Sequence, residues 1–145
     1  MKKEFFGLLI ILLVIIAGCT KVQEQPPLAI PEGKFTGKFT RLHLNPSNNK
    51  IDTLSANFVI TFSAATGYAV LSDTSIVHAG SKGSYIVDPY FMQFTDSTIP
   101  AGPVPTTGKT HLAGVYDYYY KSPVLKFSRT TSDTLGYSYD LILTP

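Results

Sequence analysis

Three histidines, His43, His78 and His111, and the four aspartates expected in or beside strands, Asp73, Asp88, Asp117 and Asp140, are side chains with which this chain could hold a metal or move a proton. Neither set carries the spacing that such chemistry leaves in a sequence. There is no His-Glu-x-x-His, no pair of cysteines and no glycine-rich phosphate loop opening a helix. A Gly-x-Ser-x-Gly nucleophile elbow is also missing; Gly80-Ser81-Lys82-Gly83-Ser84 shares only its composition and reads as a turn. The histidines lie far apart and would meet only through the tertiary fold, so they are expected as strand or loop residues with hydrogen-bonded or solvated rings. No Glu follows Glu32, and nothing in the sequence pairs the aspartates at the roughly 5 to 9.5 Å a glycosidase needs. The expectation is no catalytic residue, no metal and no cofactor, with an enzyme the least favoured reading.

The aromatic residues are the remaining feature that could carry function. Tyr116, Tyr118 and Tyr120 share one strand face by their period of two, with Tyr119 on the other, and Tyr137 and Tyr139 are expected across from them on a neighbouring strand. Such a stripe can stack on sugars or line an apolar ligand cavity. It also serves as ordinary cross-strand packing. Tyr116, Tyr118, Tyr120, Tyr137 and Tyr139 are therefore the candidate ligand-lining residues.

Short alternating runs must position them. Gly33 to Leu44 places Phe35, Gly37 and Phe39 on one face and then changes phase at Arg41, so that Leu42 and Leu44 become the apolar set; a bulge near Thr40 is the expected cause. After the turn cluster Asn45 to Lys50, the residues Leu54, Ala56, Phe58, Ile60 and Phe62 alternate as a half-buried strand. Shorter strands are expected at Tyr68 to Ser72, around Ser75 to His78, at Ser84 to Asp88 and at Tyr90 to Thr95. Pro100, Pro103 and Pro105 exclude a central strand between Ile99 and Gly108. Leu112 to Tyr120, Val124 to Ser128 and Tyr137 to Leu143 complete the chain. This is an all-β pattern: an antiparallel up-and-down barrel of eight or nine strands, with a β-sandwich as the alternative.

The opening Gly-Lys-Phe-Thr-Gly-Lys-Phe from Gly33, the meander, and the late aromatic strands resemble the small lipocalin-like domains found among bacterial lipoproteins of unassigned function. Gly33-Lys34-Phe35 stands where lipocalins carry Gly-x-Trp, and Arg129 lies one strand before the position of the lipocalin Arg that caps it. The resemblance implies a barrel able to hold a small ligand.

The N-terminus is read separately. Lys2 and Lys3 precede an uncharged apolar run from Phe5, the layout of an export signal. Sixteen uncharged residues lie between Glu4 and Lys21, about 24 Å as a helix, short of the roughly 30 Å bilayer core. Ile16-Ala17-Gly18-Cys19 matches the lipobox of bacterial lipoproteins at every position. That resemblance implies cleavage before Cys19, diacylglycerol on its sulfur, and, with Thr20 rather than Asp next, sorting toward the outer membrane. Residues 1–18 are then a cleaved signal, 19–32 a lipidated and proline-bearing tether of about 40 Å when stretched, and 33–145 one domain.

A net charge of +2 with scattered Lys and Arg argues against a nucleic-acid partner. With Cys19 the sole cysteine, no intramolecular disulfide forms. Asp52-Thr53-Leu54, Asp96-Ser97-Thr98 and Asp133-Thr134-Leu135 resemble the acceptor triplet of one bacterial O-glycosylation system, which makes Thr53, Ser97 and Thr134 candidate modification sites. The functional expectation is a membrane-anchored, noncatalytic binding domain of the bacterial envelope for an apolar small molecule or a glycan. The alternative is a protein-interaction or hydrolase-inhibitor module without a ligand cavity.

Overall fold

The computed structural model describes residues 27–72, 77–99, 109–132 and 135–145. Eight strands follow in chain order: β1 (Gly33–Asn45), β2 (Lys50–Ser63), β3 (Gly67–Val70), β4 (Lys82–Val87), β5 (Phe91–Asp96), β6 (Gly114–Lys121), β7 (Val124–Ser132) and β8 (Leu135–Thr144). Each pairs antiparallel with the next, and β8 returns to β1, closing an up-and-down barrel. The sandwich alternative is thereby excluded. The closed meander is compatible with a lipocalin-like barrel.

Period-two alternation sets which side chains face inward. Phe35 and Phe39 of β1, Phe58, Ile60 and Phe62 of β2, Leu125 and Phe127 of β7, and Tyr139 and Leu141 of β8 are all buried. Rings fill the middle of the barrel: Phe127 stacks on Tyr139 with centroids 4.3 Å apart, and Phe94 packs against Tyr68 at 5.1 Å and Phe127 at 5.4 Å. The lower end is closed partly by the residues before β1. Pro31 is buried, its carbonyl accepts from the Tyr85 hydroxyl at 3.0 Å, and the Glu32 carboxylate accepts from Ala64 N at 3.2 Å.

Gly37 lets β1 lie close against β8. A Cβ there would lie 2.0 Å from the carbonyl oxygen of Asp140, a backbone atom that cannot swing aside. Gly37→Ala is expected to destabilise the barrel by about 3 kcal/mol, the upper end for overpacking, measured as a lowered urea midpoint with unchanged m-value.

The bulge expected near Thr40 does not exist. Both ladders of β1 run unbroken from Gly33 to Asn45 against β2 and from Lys34 to His43 against β8. The change of phase is a change of surroundings. Beyond Phe39 the inward positions leave the packed interior for the barrel mouth, where Arg41 and His43 occupy them, while Leu42 turns outward and is 41% exposed. The irregular ladder is between β7 and β8, at Thr130 and Ser132. Two further expectations are corrected. β3 ends at Val70, because the Ser72 hydroxyl instead accepts from Val59 N at 2.7 Å. Of the strand expected around Ser75 to His78, the described part is one parallel bridge between His78 and Thr110.

Candidate functional site

β1, β3, β5 and β7 all run toward the same end of the barrel, so the connections that follow them share the mouth. Two of these connections dock on each other. Ala79 N donates to Thr110 O and Thr110 N donates to Val77 O, both at 2.9 Å. This backbone clasp lowers His78 into the barrel, 2% exposed, with its ring 4.8 Å from Phe58 and 5.1 Å from Phe39.

His78 is satisfied as a neutral ring. Its Nδ1 lies 2.7 Å from the Ala79 carbonyl, an acceptor, so Nδ1 carries the proton and Nε2 accepts from the Tyr139 hydroxyl at 3.0 Å. Tyr139 thereby spends its one proton and accepts from Tyr116, which in turn accepts from Arg129. The result is a directional chain from the Arg129 guanidinium through two tyrosines to the imidazole. Arg129 also donates to the Ala113 carbonyl and lies 5.7 Å above the Tyr116 ring. Gly114, at φ +95°, makes room, since a Cβ there would strike the guanidinium. Burial dominates the titration of the chain: it pushes His78 down to about 4 and holds Tyr139 and Tyr116 above the usual phenol range.

A second polar knot sits beside it. Asp96, at the end of β5, accepts from Thr98 N at 2.8 Å, Thr98 Oγ1 at 2.6 Å and His111 Nδ1 at 2.9 Å, and from the Ser81 hydroxyl. Burial raises its pKa, but these donors outweigh burial and hold the carboxyl below the usual range. An Asp-oriented His is half of a nucleophilic triad. Here Ser81 hydrogen-bonds Asp96 and Leu112 N, not the His111 imidazole, which makes the knot a fastening of the loop after β5.

The candidate tyrosines all face inward. Tyr116 and Tyr139 are 1% exposed and belong to the hydrogen-bonded chain, with centroids 6.0 Å apart. Tyr118, Tyr120 and Tyr137 are half-buried; Tyr120 meets Phe35 edge-on at 6.2 Å and Tyr137 stacks over Phe39 at 6.2 Å. As expected, Tyr119 lies on the other face and is 55% exposed. The two strands are not neighbours, however: β7 separates β6 from β8, and Tyr116 reaches Tyr139 through the interior.

Above His78 the mouth opens into a cleft of about 480 Å³ lined by Arg41, His43, Asp52, Thr53, Leu54 and Leu135. Register places Arg129, Tyr137, Arg41 and Leu54 in one lateral row across four adjacent strands, all inward-facing. Among the described residues no group of three or more His, Cys, Asp or Glu could hold a metal. Cys19, Asp73 and Thr134 lie outside the described residues, while Thr53 and Ser97 are both exposed. The sequence named His78, Arg129 and Asp96 but did not join them to the tyrosines or to His111; the hydrogen-bonded ring expected of His78 is observed. A signal existed for Asp96, whose Asp-Ser-Thr run forms the Asx turn to Thr98 N.

No family model, curated protein or solved structure matches this chain.

Proposed function

We propose that this chain is a lipid-anchored protein of the bacterial envelope whose barrel is a noncatalytic recognition module, working through its mouth and outer surface rather than by enclosing a ligand. The observation that carries the reading is the interior itself. Tyr116 and Tyr139, candidates for lining a cavity, are instead hydrogen-bonded to each other inside a packing of rings, under a histidine held by two docked loops. A protein or glycan partner at the mouth fits this interior better than an apolar molecule within it.

The anchor gives the barrel a direction. β1 enters at the lower end, so a lipid on Cys19 would hold that end toward the membrane and present Arg41, His43 and Asp52 away from it. Two or three acyl chains suffice for stable anchoring, where one is marginal.

Cys19→Ala is expected to abolish incorporation of labelled palmitate in the native host and leave the precursor uncut; continued labelling would sink the anchor. For the barrel, a fluorescent fatty acid is expected to show no saturable binding. Stoichiometric binding that quenches on Tyr116→Phe would restore the carrier reading.

A further inference from the structure

The end of the barrel opposite the mouth, where β1 begins, has an unusually apolar rim. Its three connections are residues 64–66, 88–90 and 122–123. They hold one charged residue, Asp88, and its carboxylate turns back to accept from Tyr90 N at 3.1 Å. Asp88 N donates to Phe91 O at 2.9 Å and closes the same turn. At the tip of this braced turn stands Tyr90, 81% exposed.

Further exposed apolar side chains lie at the same end. Ile86, next to last in β4, and Ile30, three residues before β1, line one surface cleft of about 580 Å³ together with residues 63–67. Leu28, also exposed, precedes them on the incoming chain. Lys34 and Lys121 are exposed and, by alternation with the inward Phe35 and Tyr120, point outward beside the rim.

An exposed apolar patch edged by polar residues marks an interaction surface. Its place on the chain says with what. Pro31 is buried and the Glu32 carboxylate is bonded to Ala64 N, so this end is held where the chain runs back toward Cys19. Eight residue steps separate Cys19 from Pro27, and they reach at most about 28 Å. A lipid on Cys19 therefore keeps this rim, rather than the mouth, beside the bilayer.

We infer that the rim is a seat on the phospholipid bilayer that holds the anchor, with Leu28, Ile30 and Tyr90 entering the interfacial layer and Lys34 and Lys121 reaching lipid phosphates. The side chains suit that layer. A tyrosine ring has an apolar body and a polar tip, as the headgroup level requires. A lysine lays its stem along apolar surface while its ammonium stays among polar groups. The seat rests on the anchor proposed above and adds an orientation to it: the barrel stands on the membrane with its mouth outward instead of swinging on a tether.

The test uses the chain extracted with detergent from membranes of the native host and reconstituted into vesicles of phosphatidylethanolamine and phosphatidylglycerol whose acyl chains carry bromine near the headgroup. The chain has no Trp, so Tyr90→Trp supplies the sole tryptophan. Leu42→Trp, at an exposed outward position near the mouth, supplies the comparison. Side chains seated about 5 to 10 Å into the boundary meet the bromines. Tyr90→Trp is therefore expected to lose about half its emission relative to unbrominated vesicles and to shift to shorter wavelength, while Leu42→Trp loses little. Tryptophan favours interfaces by itself, so the Tyr90→Trp measurement is repeated with Leu28→Asp and Ile30→Asp added, both at exposed positions. Quenching is then expected to fall about threefold. Quenching absent at Tyr90→Trp, equal at the two reporters, or unchanged by the two aspartates would each overturn the seat. Intact mass separates this from the anchor: a chain that carries the lipid yet shows no quenching at Tyr90→Trp loses the seat alone, and a chain without the lipid loses both.

Discussion

Phe58→Asp is expected to leave the chain unfolded at 25 °C. Phe58 is 1% exposed and touches Phe39, His78 and Tyr139, so the substitution loses packing at the point where three strands and the clasped loop converge. Truncating a buried Phe costs about 3 to 5 kcal/mol. An unpaired carboxylate in the same place adds several more or forces its own protonation. Together these approach or exceed the roughly 5 to 15 kcal/mol that holds a domain folded. Far-ultraviolet circular dichroism and amide proton dispersion report the loss. Phe58→Leu keeps the site apolar and is expected to remain folded with a lowered melting point. A native-like melt for Phe58→Asp would mean that this face of β2 is not the core.

The barrel is also expected to lose stability in mild acid through one residue. His78 is held near 4 in the folded chain against 6.5 when solvated, chiefly by burial. The unfolded chain therefore binds the proton first. Stability is full above pH 6.5, falls as the pH drops from 6.5 toward 4, and below that has lost about 3 kcal/mol. Urea midpoints measured from pH 7.5 to 4 check this, with His78→Gln as the comparison. That variant is expected to be less stable at pH 7 and to show a flatter profile between 6.5 and 4. A parallel slope in both chains would assign the acid sensitivity elsewhere. Asp96 does not confuse the window, since its carboxyl is held below its ordinary value and gives up its contribution only below about pH 4.

Much of this architecture was legible in short runs of sequence. The alternation from Leu54 to Phe62 identified β2 and its inner face, and Tyr137, Tyr139, Leu141 and Leu143 did the same for β8. Alternation reports which side of a strand is buried, so it also registered Arg41 as a break. It could not say whether the backbone or the surroundings had changed. The polar chain was beyond reach for a different reason. His78 meets Tyr139 across 61 residues and Asp96 meets His111 across 15, and neither contact has a local pattern to announce it.

The closure of the sheet has a consequence for the timing of folding. β1 is completed only by β8, and the Thr144 hydroxyl donates to the Lys34 carbonyl across 110 residues. The first strand of the barrel therefore stays half-paired until β8 is available. Contacts so distant in sequence form slowly. For a chain that crosses a membrane in extended form, as the proposed export requires, this delay is useful. The nascent protein cannot close its barrel before β8 has emerged, and so remains threadable until then.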